Sequence, residues 1–105
     1  MPKFLIDVPH DPDPIACARV IKVFLDTGSH FLTQAEWGCS DGVHVAWIMV
    51  DVDTKAEALA ILPPAFRSEA RVTRLTHFSL EQIDPILERH GKRSRAATEG
   101  GASGR

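Results

Sequence analysis

The residues of this sequence best suited to chemistry are a cysteine and a histidine in the stretch EWGCSDGVHVAW. Cys39 and His44 stand on either side of Asp41-Gly42, a dipeptide favoured in the two-residue turn of a β-hairpin. In such a hairpin Cys39 and His44 are cross-strand neighbours that share one face, with Cβ atoms about 5 Å apart. Because Zn²⁺ and other borderline metals prefer thiolate and imidazole ligands, the hairpin predicts half of a metal site.

The elements around this hairpin predict an α+β fold. Alternating apolar residues indicate strands, and N-capping residues followed by apolar stripes indicate helices. In chain order we predict a strand over 3–8, a helix from 14 to near 28, the two hairpin strands, a helix after Thr54 that stops at Pro63-Pro64, a strand over 70–78 and a short helix up to 90. This β-α-β-β-α-β order is ferredoxin-like and implies a four-stranded antiparallel sheet.

The same pattern predicts one folded domain and a tail. Residues 1–90 carry all the predicted elements, and 105 residues suffice for one core. Residues 91–105 are rich in Gly, Ser, Ala and Arg. Because this composition buries little apolar surface, we expect the tail to be disordered.

The order of elements brings separate segments to one end of the domain. The first strand runs up, the first helix runs down, and a right-handed crossover makes the second strand run up again. The end of the first strand, the start of the first helix and the hairpin turn therefore lie together. They carry four metal-ligating residues, so we predict a Cys2His2 site for a transition metal such as Zn, Ni or Cu, formed by His10, Cys17, Cys39 and His44.

Two other interpretations of these four residues stay open. In the first, all four have ordinary structural roles, since Cys17 begins the apolar stripe of its helix and free cysteine is among the most readily buried residues. In the second, Cys39 is a reactive thiol assisted by His44. The short ligand spacing of common zinc motifs is absent, because Cys17 and Cys39 are far apart in sequence.

The opposite face of the hairpin predicts a second candidate site. Trp47 and Met49 lie on this face and are too apolar to be left in water. We expect either a partner sheet over them or a pocket for an apolar ligand. Glu36 shares the face and is the candidate catalytic base for removing a proton from an acidic C–H. An ordinary surface glutamate near a strand end is the alternative.

Composition excludes some classes of partner. The formal net charge is −2 and the isoelectric point is about 6.2, whereas a nucleic-acid surface normally needs a dense basic patch. No apolar run approaches the roughly 20 residues that span a bilayer, and the N-terminus does not resemble a signal peptide. We therefore expect a cytoplasmic protein without nucleic-acid or membrane partners, whose thiols stay reduced.

Longer stretches of the chain resemble known proteins. The segments HFLTQAEWGCSDGVHVAWIMVDVD and ILPPAFRSEARV, with a following F-x-x-E-Q-I, resemble small uncharacterised bacterial proteins with a WGC-x-x-G-x-H hairpin. The element order over residues 3–90 is similar to that of the ferredoxin-like dimeric α+β barrel superfamily, which includes muconolactone isomerases, small cofactor-free monooxygenases and nickel-binding proteins. This resemblance implies two subunits packed sheet against sheet, but it brings no matching catalytic set.

Three functions follow as expectations from these observations, and one of them is a dimeric interaction module without chemistry. The first is a small cytoplasmic homodimer that binds a small-molecule or metal ligand, with the metal held at the hairpin end of the domain. The alternative is a small isomerase or cofactor-free monooxygenase-like enzyme that acts on an apolar small molecule between the sheets. The sequence leaves open whether the protein is an enzyme.

Overall fold

The computed structural model describes the backbone of residues 1–102 and the side chains of residues 1–91. Four strands form one antiparallel sheet in the order β2-β3-β1-β4: β1 (Lys3–Pro9), β2 (Glu36–Trp37), β3 (Val45–Asp51) and β4 (Arg71–Leu75). Three helices accompany the sheet: α1 (Pro14–Asp26), α2 (Lys55–Ala60) and α3 (Leu80–Ala102). The predicted α+β class and element order are confirmed, and the strand order is compatible with a ferredoxin-like arrangement.

The core lies on one face of the sheet, as the alternation of apolar residues predicts. Successive side chains of a strand point to opposite faces, so every second residue of β1 and β3 is buried. Residues from helices and loops cover that face, with Phe24 of α1 fully buried. Each large apolar side chain buried in this way stabilises the fold by about 1.5–3 kcal/mol. The strand residues of the core are Phe4, Ile6, Val8, Ala46, Ile48 and Val50.

Helix α1 begins where the sequence predicts. The Asp13 carboxylate accepts hydrogen bonds from the backbone N–H groups of Ile15 and Ala16, and Pro14 occupies the first helical position. The helix buries Cys17 and Phe24, which are two turns apart on one face. It ends at Thr27, where Gly28 takes a left-handed conformation with φ of 69°.

The second half of the chain also follows its capping signals. Thr54 caps α2 by accepting from the N–H of Glu57. Arg67 caps the C-terminal end of this helix by donating hydrogen bonds to the carbonyls of Leu62 and Ala60. Fewer carbonyls at the helix end are therefore left without a partner.

Helix α3 starts at the predicted capping box. Ser79 and Gln82 satisfy each other's backbone N–H groups with their side chains. The backbone stays helical to Ala102, so the helix is longer than the short one we expected up to His90. We predicted disorder for the tail, residues 91–105. Its side chains after residue 91 and its residues 103–105 lie outside the described part of the chain, so this stays a prediction. Among the described helices, none has both the length and the apolar character needed to cross a bilayer.

Candidate metal centre

The loop between β2 and β3 differs from the predicted hairpin. The register agrees with the prediction, since Trp37 pairs with Ala46. However, β2 ends at Trp37, and the chain then forms a 3₁₀ turn over Cys39–Asp41 that Gly42 terminates with φ of 79°. Cys39 and His44 are thus loop residues, and the prediction that they face each other within strands was wrong. Backbone hydrogen bonds hold the loop in this shape, because the N–H groups of both Asp41 and Val43 donate to the Gly38 carbonyl.

Gly38 favours this loop because a side chain at its position would displace neighbouring atoms. A Cβ atom on Gly38 would lie 2.6 Å from the Val43 carbonyl oxygen and 2.8 Å from Cζ3 of Trp47. The indole of Trp47 therefore rests directly against the backbone that carries Cys39. Sequence reasoning missed this role, although a glycine immediately before Cys39 is a signal for close backbone approach.

The sheet itself positions the two histidines. Beyond the last strand pair, Pro9 with Val45, the N–H of His10 donates to the carbonyl of His44 over 3.0 Å. This bond continues the β1-β3 ladder by one position. The two imidazole rings lie edge to face, with centroids 5.6 Å apart. His10 and His44 are therefore fixed by strand register, which the sequence did not predict for this pair.

Helix α1 brings Cys17 to the same place. Cys17 lies in the first turn, where its N–H donates to the Asp13 carbonyl over 2.8 Å. Its side chain is buried, while Cys39, His10 and His44 are half-buried. Asp13 thus positions Cys17 through the helix cap, a second role that sequence reasoning did not assign.

The four predicted ligands converge. One potential ligand atom from each of His10, Cys17, Cys39 and His44 lies within 4.8 Å of all the others. Nε2 of His10 is 3.3 Å from Sγ of Cys17 and 3.2 Å from Sγ of Cys39, and the two sulfurs are 3.2 Å apart. Around a tetrahedral ion with ordinary zinc bond lengths, ligand atoms are about 3.3–3.8 Å apart. The cluster therefore needs displacements of about 1 Å or less to hold such an ion.

Two buried nitrogens at this cluster lack hydrogen-bond partners. In residues 1–91, Nδ1 of His10 and Nδ1 of His44 are among the few buried side-chain polar atoms without a partner. Unsatisfied buried polar groups are costly and call for an explanation such as an ion or a water. Nε2 of His10 is the nitrogen beside the two sulfurs, so the Nδ1 atom of that ring is not the one that would bind the ion. Nδ1 of His44 has the donor chemistry of a metal ligand.

Hydrogen bonding and burial also perturb a thiol in the cluster. The hydrogen bond between the Cys17 and Cys39 thiols raises the pKa of Cys17 above its ordinary value, and burial and the nearby charge of Cys39 act in the same direction. The shift favours the protonated thiol at neutral pH, so an ion that binds Cys17 would have to displace a proton. Aromatic rings pack beside the cluster. The centroid of the Trp37 ring is 5.5 Å from that of the His10 ring and 5.1 Å from that of the Phe24 ring.

The second predicted site has a different character. Glu36 and Trp47 are paired residues of β2 and β3, and they line a groove of about 350 Å³ on the face of the sheet opposite the core. Glu36 is exposed there, and Met49 is 57% exposed. Trp47 is half-buried and also borders a second groove of about 230 Å³ with Asp7 and Arg71. The predicted pocket residues thus share one open surface, but no enclosed pocket holds Glu36 among the described residues.

Comparison with known proteins gave no match to this chain among family models, curated proteins or solved structures.

Proposed function

We propose that this protein binds one transition-metal ion through His10, Cys17, Cys39 and His44, with Zn²⁺ as the preferred ion and Ni²⁺ and copper as competitors. The observation that carries the proposal is the convergence of four ligand atoms within 4.8 Å. They come from the end of β1, the first turn of α1 and the two ends of the loop before β3. Two thiolates and two imidazoles are typical of tetrahedral zinc sites.

Four protein ligands favour binding over hydrolysis as the function. A tetrahedral ion with four protein ligands has no open position for a substrate, as in structural sites, whereas catalytic zinc sites usually have three protein ligands and a water. Of the four candidate ligands only Cys17 is buried, so the ion would lie near the surface of the domain. We therefore propose a metal-binding role in which the ion is accessible for exchange.

The partners of the molecule form a second part of the proposal. Trp47, Met49 and Leu5 leave apolar surface on the face opposite the core, and such a surface is normally covered. We propose that two subunits pack these faces together in the cytoplasm, where the thiols stay available for metal. Light scattering after size exclusion tests the dimer, and a monomer at micromolar concentration would contradict it. Met49→Glu is expected to dissociate it.

The groove beside Glu36 supports the alternative function. Its 350 Å³ is at the lower end of small-ligand sites, and an isomerase-like or monooxygenase-like enzyme would use Glu36 as its base. A hydrophobic lactone or aromatic ligand should then raise the melting temperature, and Glu36→Gln should remove turnover while keeping that shift. A Glu36→Gln protein with unchanged turnover would contradict this alternative.

Elemental analysis tests the metal proposal directly. Protein purified without a metal-binding tag should contain about one ion per chain, and metal-free protein should regain one ion of Zn²⁺ by titration. Co²⁺ should show thiolate-to-metal charge-transfer absorption that Cys39→Ala and His44→Ala each weaken. His77→Ala is the matched control, since His77 is exposed and outside the cluster. Folded protein that binds none of Zn²⁺, Ni²⁺ and copper would refute the proposal.

A further inference from the structure

The two cysteines form a contact that metal binding alone does not require. Cys17 and Cys39 are the only two cysteines of the chain, and their sulfurs are 3.2 Å apart. A disulfide needs the sulfurs at about 2.05 Å, so they must approach by about 1.2 Å. Both are free thiols in the structure. The contact joins the first turn of α1 to the 3₁₀ turn after β2.

The two cysteine residues differ in their exposure to solvent. Cys17 is 7% exposed, whereas Cys39 is half-buried in a surface loop whose neighbours Ser40, Asp41 and Gly42 are exposed. An oxidant dissolved in water therefore meets Cys39 first. Susceptibility of cysteine to oxidation follows accessibility and thiolate character, and sensor cysteines often have a second cysteine beside them that resolves the first product. Cys39 and Cys17 have this arrangement, with the more exposed cysteine beside a buried one.

We propose that Cys17 and Cys39 are a modification site for hydroperoxides, with Cys39 attacked first and Cys17 as the resolving thiol. Cys39–SH and ROOH give Cys39–SOH and ROH, so the peroxide O–O bond breaks and sulfur is oxidised by two electrons. The Cys17 thiol then attacks the sulfenic sulfur, which forms the S–S bond and releases water. The net reaction converts two thiols and one hydroperoxide into one disulfide, one alcohol and one water.

The link to metal rests on the proposed function. A tetrahedral ion bound by both thiolates would draw electron density from their sulfurs and make them weaker nucleophiles toward the peroxide. Metal-loaded protein should thus oxidise more slowly than metal-free protein. Once the disulfide forms, two of the four ligands are lost, so oxidation would release the ion and reduction would restore the site.

Peptide mapping of metal-free protein tests the pair without reference to any ion. After treatment with hydrogen peroxide, non-reducing digestion should give a cross-linked peptide containing Cys17 and Cys39, and a thiol reductant should reverse it. Separate overoxidation of the two cysteines without a cross-link would overturn the proposal. So would a cross-link that joins two chains and not one, as shown by mass under denaturing conditions.

Single variants test the order of attack. In Cys17→Ala and Cys17→Ser, a sulfenic-acid reagent such as dimedone should label Cys39, whereas in Cys39→Ala and Cys39→Ser the buried Cys17 should be labelled at least about 10-fold more slowly. Circular dichroism shows whether the Ala or the Ser variant at each position is folded, and the folded variant is used. Equal labelling of the two positions would overturn the assigned order.

The metal experiment is separate from these tests. Zinc-loaded protein treated with peroxide should release its ion to a chromogenic chelator at the same rate as the disulfide forms. If the protein forms the disulfide but binds no ion, the proposed function fails while the modification site stands. If it binds one ion but forms no disulfide, the modification site fails alone.

Discussion

Nε2 of His10 lies 3.2 Å from Sγ of Cys39, although helix α1 and the whole of β2 separate the two residues in sequence. Strand pairing brings His10 to this point, and the curled loop after Trp37 brings Cys39. The contact therefore depends on the sheet and the loop together. A variant that disturbs either should change metal binding before it unfolds the protein.

Removal of one ligand should weaken metal binding strongly. Cys39→Ala and His10→Ala each remove a ligand atom from the cluster, and we expect the Zn²⁺ affinity to fall by roughly 100-fold or more, since even residues that only orient ligands contribute 10–100-fold. Competition with a chelator of known affinity measures this change. The His77→Ala control should bind as wild type does. A Cys39→Ala protein with wild-type affinity would remove Cys39 from the site.

Replacement of Gly38 should affect both stability and the site. In Gly38→Ala the new Cβ meets the Val43 carbonyl and the Trp47 ring, so we expect a loss of about 1–3 kcal/mol in the free energy of unfolding and weaker Zn²⁺ binding. Urea denaturation and chelator competition measure the two effects. Gly28→Ala is the control for a strained glycine away from the site, because Gly28 has a φ of 69° and no atom lies within 4 Å of a Cβ built there. It should lose about 1 kcal/mol without a change in affinity.

Removal of the α1 cap should reach the site through the helix. Asp13→Ala deletes the carboxylate that accepts from Ile15 and Ala16, which should cost about 1 kcal/mol of stability and loosen the turn that holds Cys17. We expect a several-fold fall in Zn²⁺ affinity. Thr54→Ala removes the equivalent cap from α2 and should lower stability by a similar amount with unchanged affinity. Equal affinities for the two variants would show that the cap does not position Cys17.

The raised pKa of Cys17 predicts opposite effects of pH on stability and on metal binding. The pKa of Cys17 is higher in the folded protein than its ordinary value of 9.0. The unfolded chain therefore loses this proton at lower pH than the folded chain does. The contribution of the protonated Cys17 thiol to stability should be complete below pH 9.0 and should be lost as pH rises through the raised pKa. Denaturant unfolding of metal-free protein at several alkaline pH values measures this loss, and Cys17→Ala should reduce it.

The affinity for Zn²⁺ should rise with pH, whereas the stability of the metal-free protein should fall. Zn²⁺ binds the thiolate, so each proton that leaves a thiol favours the ion. The affinity should therefore rise with pH until both thiols are deprotonated in the free protein. Titrations at fixed ionic strength should show proton release on Zn²⁺ binding. A pH-independent affinity between about pH 6 and about pH 8 would contradict thiol ligation.

Sequence patterns predicted the sheet and the caps because their signals are local. Alternation fixed the buried faces of β1 and β3, and Asp13-Pro14 and Ser79/Gln82 marked helix starts that the structure confirms. Topology also brought the four ligands to one end of the domain. The path of the loop 38–44 was not predictable in this way. It depends on Trp47 packing against Gly38, a tertiary contact that overrides the turn preference of Asp41-Gly42.

All four candidate ligands lie between His10 and His44, and among the described residues none comes from α2, β4 or α3. An ion would therefore anchor β1, α1 and the loop to one another, while α2, β4 and α3 would have no direct link to it. Proteins open locally in units of unequal stability. In this molecule the later half would exchange its amide hydrogens with solvent while the first half keeps its ion. Retention of the metal and opening of the fold are thus separable events.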